Sequence, residues 1–483
     1  MTWPVAAAAI LTATAAASWA GRRLLRRWAA RTVLRFRARL DRHKLTESRR
    51  VKDELAADPV IAATVARLAA ETGESAVALQ ARVRGYADEI VPFFNVLSYY
   101  RLGYTLARMV TRLFYRVTVL DHDARAHART SRRDVMVYLS NHRSNMDYVV
   151  VSFVLAQSVS ISYAVGEWAR TWPLEHLFKS FGSYFVRRNF RDPLYHLVLE
   201  RYVQLVTRNR VTQGLFPEGG LTRDGTLRPP KIGLLDYLVG TLRDPGFDGD
   251  LWLVPVAINY DRVLEDRTLT RELDPTAPPR SRIRQLAGWV GFAIWNGMQL
   301  LTGRGERYGQ VAVAFGAPIS VRDWLAAEAP DALEAERSER LPVILRLAEH
   351  VMARTGAAIP VTPVPFAALA LLSFHDSVVP LDALWDRMAE WRGRLRAGEA
   401  RLVPADLTVT EVWDRAWRSF RSRHWLHREA DSVVILPGAR PLLEYYANSV
   451  RHLVAGAEGW SLSPAADTDE SLPRLRPQED RRR

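Results

Sequence analysis

The stretch "VMVYLSNHRSNMDYVVVSFVL", residues 135–155, places a polar turn between two different patterns. The short apolar run at 135–139 reads as a strand, and residues 145–157 read as a helix. His142 then falls in the turn, Asn145 or Ser144 takes the N-cap, and Asp147 lies in the first helical turn. Five residues of continuous helix rotate by about 500°, so His142 and Asp147 share no helix face. They meet only if the aspartate reaches back from the helix start. On these residues alone two readings stand. One is a catalytic pair. The other is an ordinary cap, with Asp147 favouring the helix dipole and a turn histidine without a role.

Outward from this turn the chain alternates. Short β-rich runs recur at "SISYAVG" (160–166), "SYFVRR" (183–188), "QGLFPEG" (213–219), "LWLVPVAINY" (251–260) and "QVAVAFGAPI" (310–319). Helical stretches fall between most of them, which predicts an α/β domain over residues 125–325. Residues 46–124 read as a helical N-terminal region, with apolar spacings of three and four in "VIAATVARLAAE" and "LSYYRLGYTLARMVTRLFYRV". After "IPVTPVPFAA" the chain returns to helix, giving a helical C-terminal region over 326–460. From 461 to 483 it is polar and charged, which predicts a disordered tail.

The 483 residues are 48% hydrophobic, ample for one large core or two. Against 53 Asp and Glu stand 67 Lys and Arg, a formal charge of +14. Such a surplus favours an anionic partner: a phosphorylated substrate, a membrane surface or nucleic acid. The absence of cysteine excludes disulfides, thiolate metal sites and a cysteine-linked covalent intermediate.

Residues 5–20 are uncharged but number only 16, short of the roughly 20 a membrane span needs. Residues 22–44 then carry ten Lys or Arg and one acid, Asp41. This order suits an apolar and basic membrane-associating segment over 1–45 that faces the cytoplasm and sits on anionic headgroups. A second segment, 283–304, holds Trp289 and Trp295 with arginine at both ends, and suits either a membrane interface or a buried helix.

Three further motifs carry charge or backbone freedom. "GSYFVRRNFR" offers Arg187 and Arg188 for bidentate phosphate binding, and adjacent strand residues point to opposite faces, so at most one of the two faces a site; a solvated strand end is the other reading. "LFPEGGLTRDGTLRPPKIGLL" has Gly219 and Gly220 for close backbone approach, with Glu218, Arg223, Arg228 and Lys231 around them. "LWLVPVAINY" interrupts an apolar strand at Pro255, which suits an edge, a bulge or a strand mouth over a site.

In order and spacing, the four stretches resemble the glycerolipid acyltransferase superfamily. The matching positions are His142 and Asp147, then Gly182, Phe185 and Arg188, then Phe216, Glu218, Gly219 and Arg223, then Pro255. "NHRSNMDY", "FVRRNF" and "PEGGLTRDGTLRPPKIG" look like the glycerol-3-phosphate and dihydroxyacetone-phosphate acyltransferases. "GQVAVAFGAPI", "VTPVPFAALALL" and "LLEYYANSVRHLV" resemble later segments of the bacterial glycerol-3-phosphate acyltransferases. Likeness covers about residues 90–455. Asn145 stands where that family often has a second histidine, and Leu221 where it often has a basic residue.

The resemblance implies a central mixed β-sheet flanked by helices and an acyl transfer to the sn-1 hydroxyl of glycerol 3-phosphate. His142 is then the general base and Asp147 its orienting partner. Arg187, Arg188, Glu218, Gly219, Gly220, Arg223 and Lys231 form the acceptor site. Acyl-CoA or acyl-carrier protein serves as cosubstrate, with no metal and no bound cofactor. The remaining partner is the anionic membrane surface on the cytoplasmic side of the cell membrane, not nucleic acid. Dihydroxyacetone phosphate or lysophosphatidate is the alternative acceptor. A non-enzymatic basic membrane binder leaves the ordered motifs unexplained. A serine hydrolase wants a G-x-S-x-G turn, which the sequence lacks.

Overall fold

In the computed structural model, the structure describes residues 48–93, 103–120, 131, 133–155, 161–166, 170, 174–187, 190–273 and 308–455. The segments 1–45, 283–304 and 461–483, and Arg188, lie outside the described residues.

The central sheet is built from β1 (Arg116–Leu120), β2 (Val135–Ser140), β3 (Ser162–Gly166), β4 (Tyr184–Val186), β5 (Gln213–Leu215), β6 (Leu251–Tyr260), β7 (Gln310–Phe315) and β8 (Ile319–Ser320). Their order is β1-β7-β6-β2-β5-β3-β4, with β8 also paired to β6. From β6 through β2, β5 and β3 to β4 the strands are parallel, whereas β7 and β8 run antiparallel to β6. The sheet is therefore mixed, as the resemblance implied.

Every residue of β2 is buried, and so is every residue of β6 except Trp252. Strands covered on both faces need continuous apolar runs rather than alternation. The period of two then splits each strand between two cores. Met136, Tyr138, Val254, Val256 and Ile258 enter one core with the C-terminal helices. Val135, Val137, Leu139, Leu251 and Leu253 enter the other with the N-terminal helices. Pro255 sits where the strand facing β6 changes from β8 to β7, and its carbonyl accepts from the Gly316 N–H at 2.8 Å. The missing donor thus falls at a break in the ladder and not at a sheet edge.

Two region boundaries differ from expectation. The strand β1 lies within residues expected to be helical, yet it pairs parallel with β7 from Arg116↔Gln310 onward. Its "RVTVL" follows directly on the helix Tyr104–Phe114, so the helical periodicity masked it. The C-terminal region also holds a three-stranded antiparallel sheet of β9 (Val378–Pro380), β10 (Leu426–Arg428) and β11 (Ser432–Ile435). These strands are too short for periodicity to signal. Around them pack the helices Pro363–Leu371, Leu381–Ala397, Val409–Ser422 and Arg440–Ala455. Every residue of Pro363–Leu371 is buried, as an all-apolar helix requires.

Candidate active site

The site forms at the C-terminal ends of the adjacent parallel strands β2 and β5, where α/β sheets place their ligands. Beyond Ser140, the Asn141 side chain donates to the Ile258 carbonyl at 3.0 Å and accepts from the Ile258 N–H at 2.8 Å. This ties the end of β2 to β6 and fixes where the turn begins. The helix then starts at Asp147 itself.

Asp147 is fully buried and organises the turn. Its Oδ2 accepts from His142 Nδ1 at 2.9 Å, from the Arg143 N–H at 2.7 Å and from the Ser144 N–H at 3.0 Å. Its Oδ1 accepts from the Tyr260 hydroxyl at 2.5 Å. The cap and the pair are one feature: the carboxylate that gathers the turn's N–H groups also holds the imidazole. In the neutral imidazole that donates from Nδ1 to Asp147, the lone pair sits on Nε2, the arrangement a general base requires. The imidazole stacks on Phe216, with centroids 4.2 Å apart and planes at 29°, and meets Tyr148 edge-on at 5.5 Å. Both rings limit the rotamers open to His142.

The Glu-Gly-Gly turn closes on the same residues. Glu218 Oε1 accepts from the His142 N–H at 2.8 Å, and its Oε2 from the Arg228 N–H at 3.1 Å. Burial pushes the Glu218 pKa up to about 8, against the pull of those two donors. Gly219 adopts φ +65°, and a Cβ there would stand 2.8 Å from Lys231 Cδ, so the position needs glycine. Gly220 is buried beside it. The Lys231 N–H donates to the Pro217 carbonyl at 2.8 Å, closing the loop over Gly219.

The structure brings His142, Asp147, Glu218, Gly219, Gly220 and Lys231 together. Arg223 is exposed and pairs with Glu272 at 3.0 Å. Arg187 extends to Glu89 of the N-terminal helices, with Nε–Oε1 at 2.7 Å and Nη2–Oε2 at 2.5 Å, and lies over the Phe190 ring at 4.4 Å. Its fork is therefore taken up by a carboxylate, which a phosphate must share or displace.

Two residues around the pair carry no local sequence signal. Tyr260 ends an apolar strand, 113 positions from Asp147. Glu265 is buried and accepts from Ser144 Oγ at 2.7 Å and from the Asn145 N–H and Nδ2, each at 3.1 Å. Burial raises its pKa to about 7, opposed by those donors. Asn145 thus serves as a strut to Glu265. The C-terminal region grips the same turn. Arg143 donates to the Gly225 carbonyl at 3.0 Å and lies over the Tyr445 ring, while Gly225, at φ +87°, lets the Tyr445 backbone approach. Among the described residues there is no His, Asp and Glu group spaced to hold a metal ion.

Residues 122–259, which include His142, Asp147, Glu218, Gly219, Gly220 and Lys231, match the Acyltransferase family profile. Residues 297–457 match the profile of the glycerol-3-phosphate acyltransferase C-terminal region. The chain is 28% identical over 407 residues to the glycerol-3-phosphate acyltransferase of Aeromonas hydrophila, covering 82% of this chain and 49% of that one. It is 28% identical over 330 residues to the enzyme of the same name from Pseudoalteromonas atlantica, covering 66% and 39%. The chain is thus similar to glycerol-3-phosphate acyltransferases over most of its length. It spans about half the length, or less, of these curated relatives. The crystal structure of the 1-acyl-sn-glycerophosphate acyltransferase from Thermotoga maritima superposes over 64% of this chain and 98% of that one, at 18% identity and a TM-score of 0.29. That likeness is too loose to bear on the assignment.

Proposed function

We propose that the chain transfers an acyl group from a thioester, acyl-CoA or acyl-carrier protein, to the sn-1 hydroxyl of glycerol 3-phosphate. The observation that carries this reading is the 2.9 Å contact between His142 Nδ1 and Asp147, set beside the Glu218 turn. His142 Nε2 takes the hydroxyl proton, and the oxygen attacks the thioester carbonyl carbon. The tetrahedral intermediate collapses by breaking the C–S bond, and the thiolate leaves with the proton held on the imidazolium. The products are lysophosphatidate and a free thiol. Asp147 keeps the tautomer and offsets the imidazolium charge, and Tyr260 holds Asp147.

Arg188, Arg223 and Lys231 hold the acceptor phosphate, with Glu218, Gly219 and Gly220 shaping its pocket. Arg187 contributes by anchoring the end of β4 to Glu89 or by exchanging that carboxylate for phosphate. The surplus of 67 basic over 53 acidic residues supports work at an anionic membrane surface, with the segment 1–45 as the contact. Among the described residues no helix is long and apolar enough to cross a membrane.

A matrix of donors and acceptors on purified protein tests the reading. Glycerol 3-phosphate is expected to be acylated fastest. Turnover confined to dihydroxyacetone phosphate or lysophosphatidate would change the acceptor, and none with any pair would remove the activity.

A further inference from the structure

Because β7 and β1 run antiparallel to β6, their N-terminal ends lie at the same edge of the sheet as the end of β2 that bears His142. A cavity of about 290 Å³ opens there, lined among others by Arg116, Arg262, Arg415, Arg418, Ser419 and Ser422. Two of these arginines come from the sheet edge and two from the C-terminal helix Val409–Ser422. Among the described residues none of the four guanidiniums forms an ion pair. Arg262 lies over the Tyr308 ring at 3.9 Å, and Arg418 Nε donates to the Asp414 carbonyl at 3.3 Å. One carboxylate, Asp261, lines the cavity. Its oxygens already accept from the Gln310 N–H at 2.8 Å and the Val364 N–H at 3.1 Å. Burial, with Arg423 adding to it, lowers the Arg262 pKa. Converging like charges oppose folding, and a dianionic ligand relieves them. Guanidinium forks with neighbouring hydroxyls suit phosphate.

The position discriminates between ligands. β7 and β1 stand two and three strands from β2, so this edge lies about 10–14 Å from the His142 end at roughly 4.8 Å per strand. Glycerol 3-phosphate is too short to place its hydroxyl at His142 and its phosphate here. The basic loop proposed for its phosphate also follows β5, on the opposite flank of β2. A coenzyme A thioester has the required shape, with its carbonyl at one end of an extended pantetheine arm and its phosphates at the other. We propose that this cavity is a phosphate site and, resting on the acyltransferase reading above, that it takes the adenosine phosphates of an acyl-CoA donor.

Calorimetric titration of coenzyme A, dephospho-coenzyme A and inorganic phosphate tests this on the full chain. The double variant Arg415→Gln with Arg418→Gln changes only side chains of one helix face, and Arg262→Gln is the second probe. Coenzyme A is expected to bind at least tenfold more weakly to either, and dephospho-coenzyme A more weakly than coenzyme A to the unmodified protein. The Michaelis constant for acyl-CoA rises in step, while that for glycerol 3-phosphate and the rate with phosphate-free acyl-pantetheine stay unchanged. Unchanged coenzyme A affinity overturns the proposal. So does loss of binding to phosphatidylglycerol vesicles alone, which reassigns the cavity to a lipid headgroup, or inorganic phosphate that binds without competing with coenzyme A. Because the readout is binding, a chain that holds coenzyme A here without transferring acyl groups overturns the function and leaves the cavity standing.

Discussion

Replacing Glu218 by glutamine changes one atom and separates two opposing effects. The carboxyl is 1% exposed and receives the N–H groups of His142 and Arg228 at 2.8 and 3.1 Å. Its pKa is raised from 4.5 to about 8, chiefly by burial. Below pH 4.5 both folded and unfolded chains carry the proton, and the group has no effect on stability. Between 4.5 and 8 the unfolded chain releases the proton that the folded chain keeps, so stability falls as pH rises. Above pH 8 the loss levels off at about 5 kcal/mol. Glutamine does not titrate, but its amide nitrogen faces one of the two N–H donors, at a cost of about 1–3 kcal/mol. The Glu218→Gln protein is therefore less stable than the unmodified chain by about 1 kcal/mol at pH 5, and more stable by roughly 2 kcal/mol at pH 8. Urea unfolding at pH 5, 6.5 and 8 reads this directly. A stability difference that stays constant across those three pH values would refute the reasoning.

Asp147→Asn removes the acceptor that fixes the imidazole tautomer, and turnover is expected to fall by about 10³–10⁴-fold with circular dichroism unchanged. Gly219→Ala forces φ +65° on a residue with a Cβ 2.8 Å from Lys231 Cδ; urea unfolding should show a loss of about 1–3 kcal/mol, and the Michaelis constant for glycerol 3-phosphate should rise. Arg423→Ala strips the buried Asp266 of its fork, which also leaves the Tyr446 hydroxyl bonded to an unpaired carboxylate. Denaturant unfolding should register a loss of about 3–5 kcal/mol.

The sequence disclosed what local spacing encodes. The run 251–260 is a strand over its whole length, and the turn at 140–147 sits between β2 and a helix, because both depend on the chain's immediate periodicity. The two readings of that turn merge in the structure, since one carboxylate serves both the backbone and the imidazole. Contacts between distant positions left no such trace. Tyr260 and Glu265 reach the turn from over a hundred residues away, and Arg187 finds Glu89 across 98. In β1, "RVTVL" was hidden because an amphipathic helix runs directly into it. Asn145, which stands where the acyltransferases it resembles often have a histidine, is explained only by Glu265, a partner on a different loop.

The central claim is that His142 is the base. It is tested by steady-state acyl transfer to glycerol 3-phosphate by His142→Ala, with unfolding curves run alongside to show that the fold is kept. Asp147 retains three of its four donors in that variant, so the turn has reason to hold. The account predicts a fall in turnover of about 10³-fold or more with little change in the Michaelis constant for either substrate. Retention of a tenth or more of the turnover in a folded variant would contradict it.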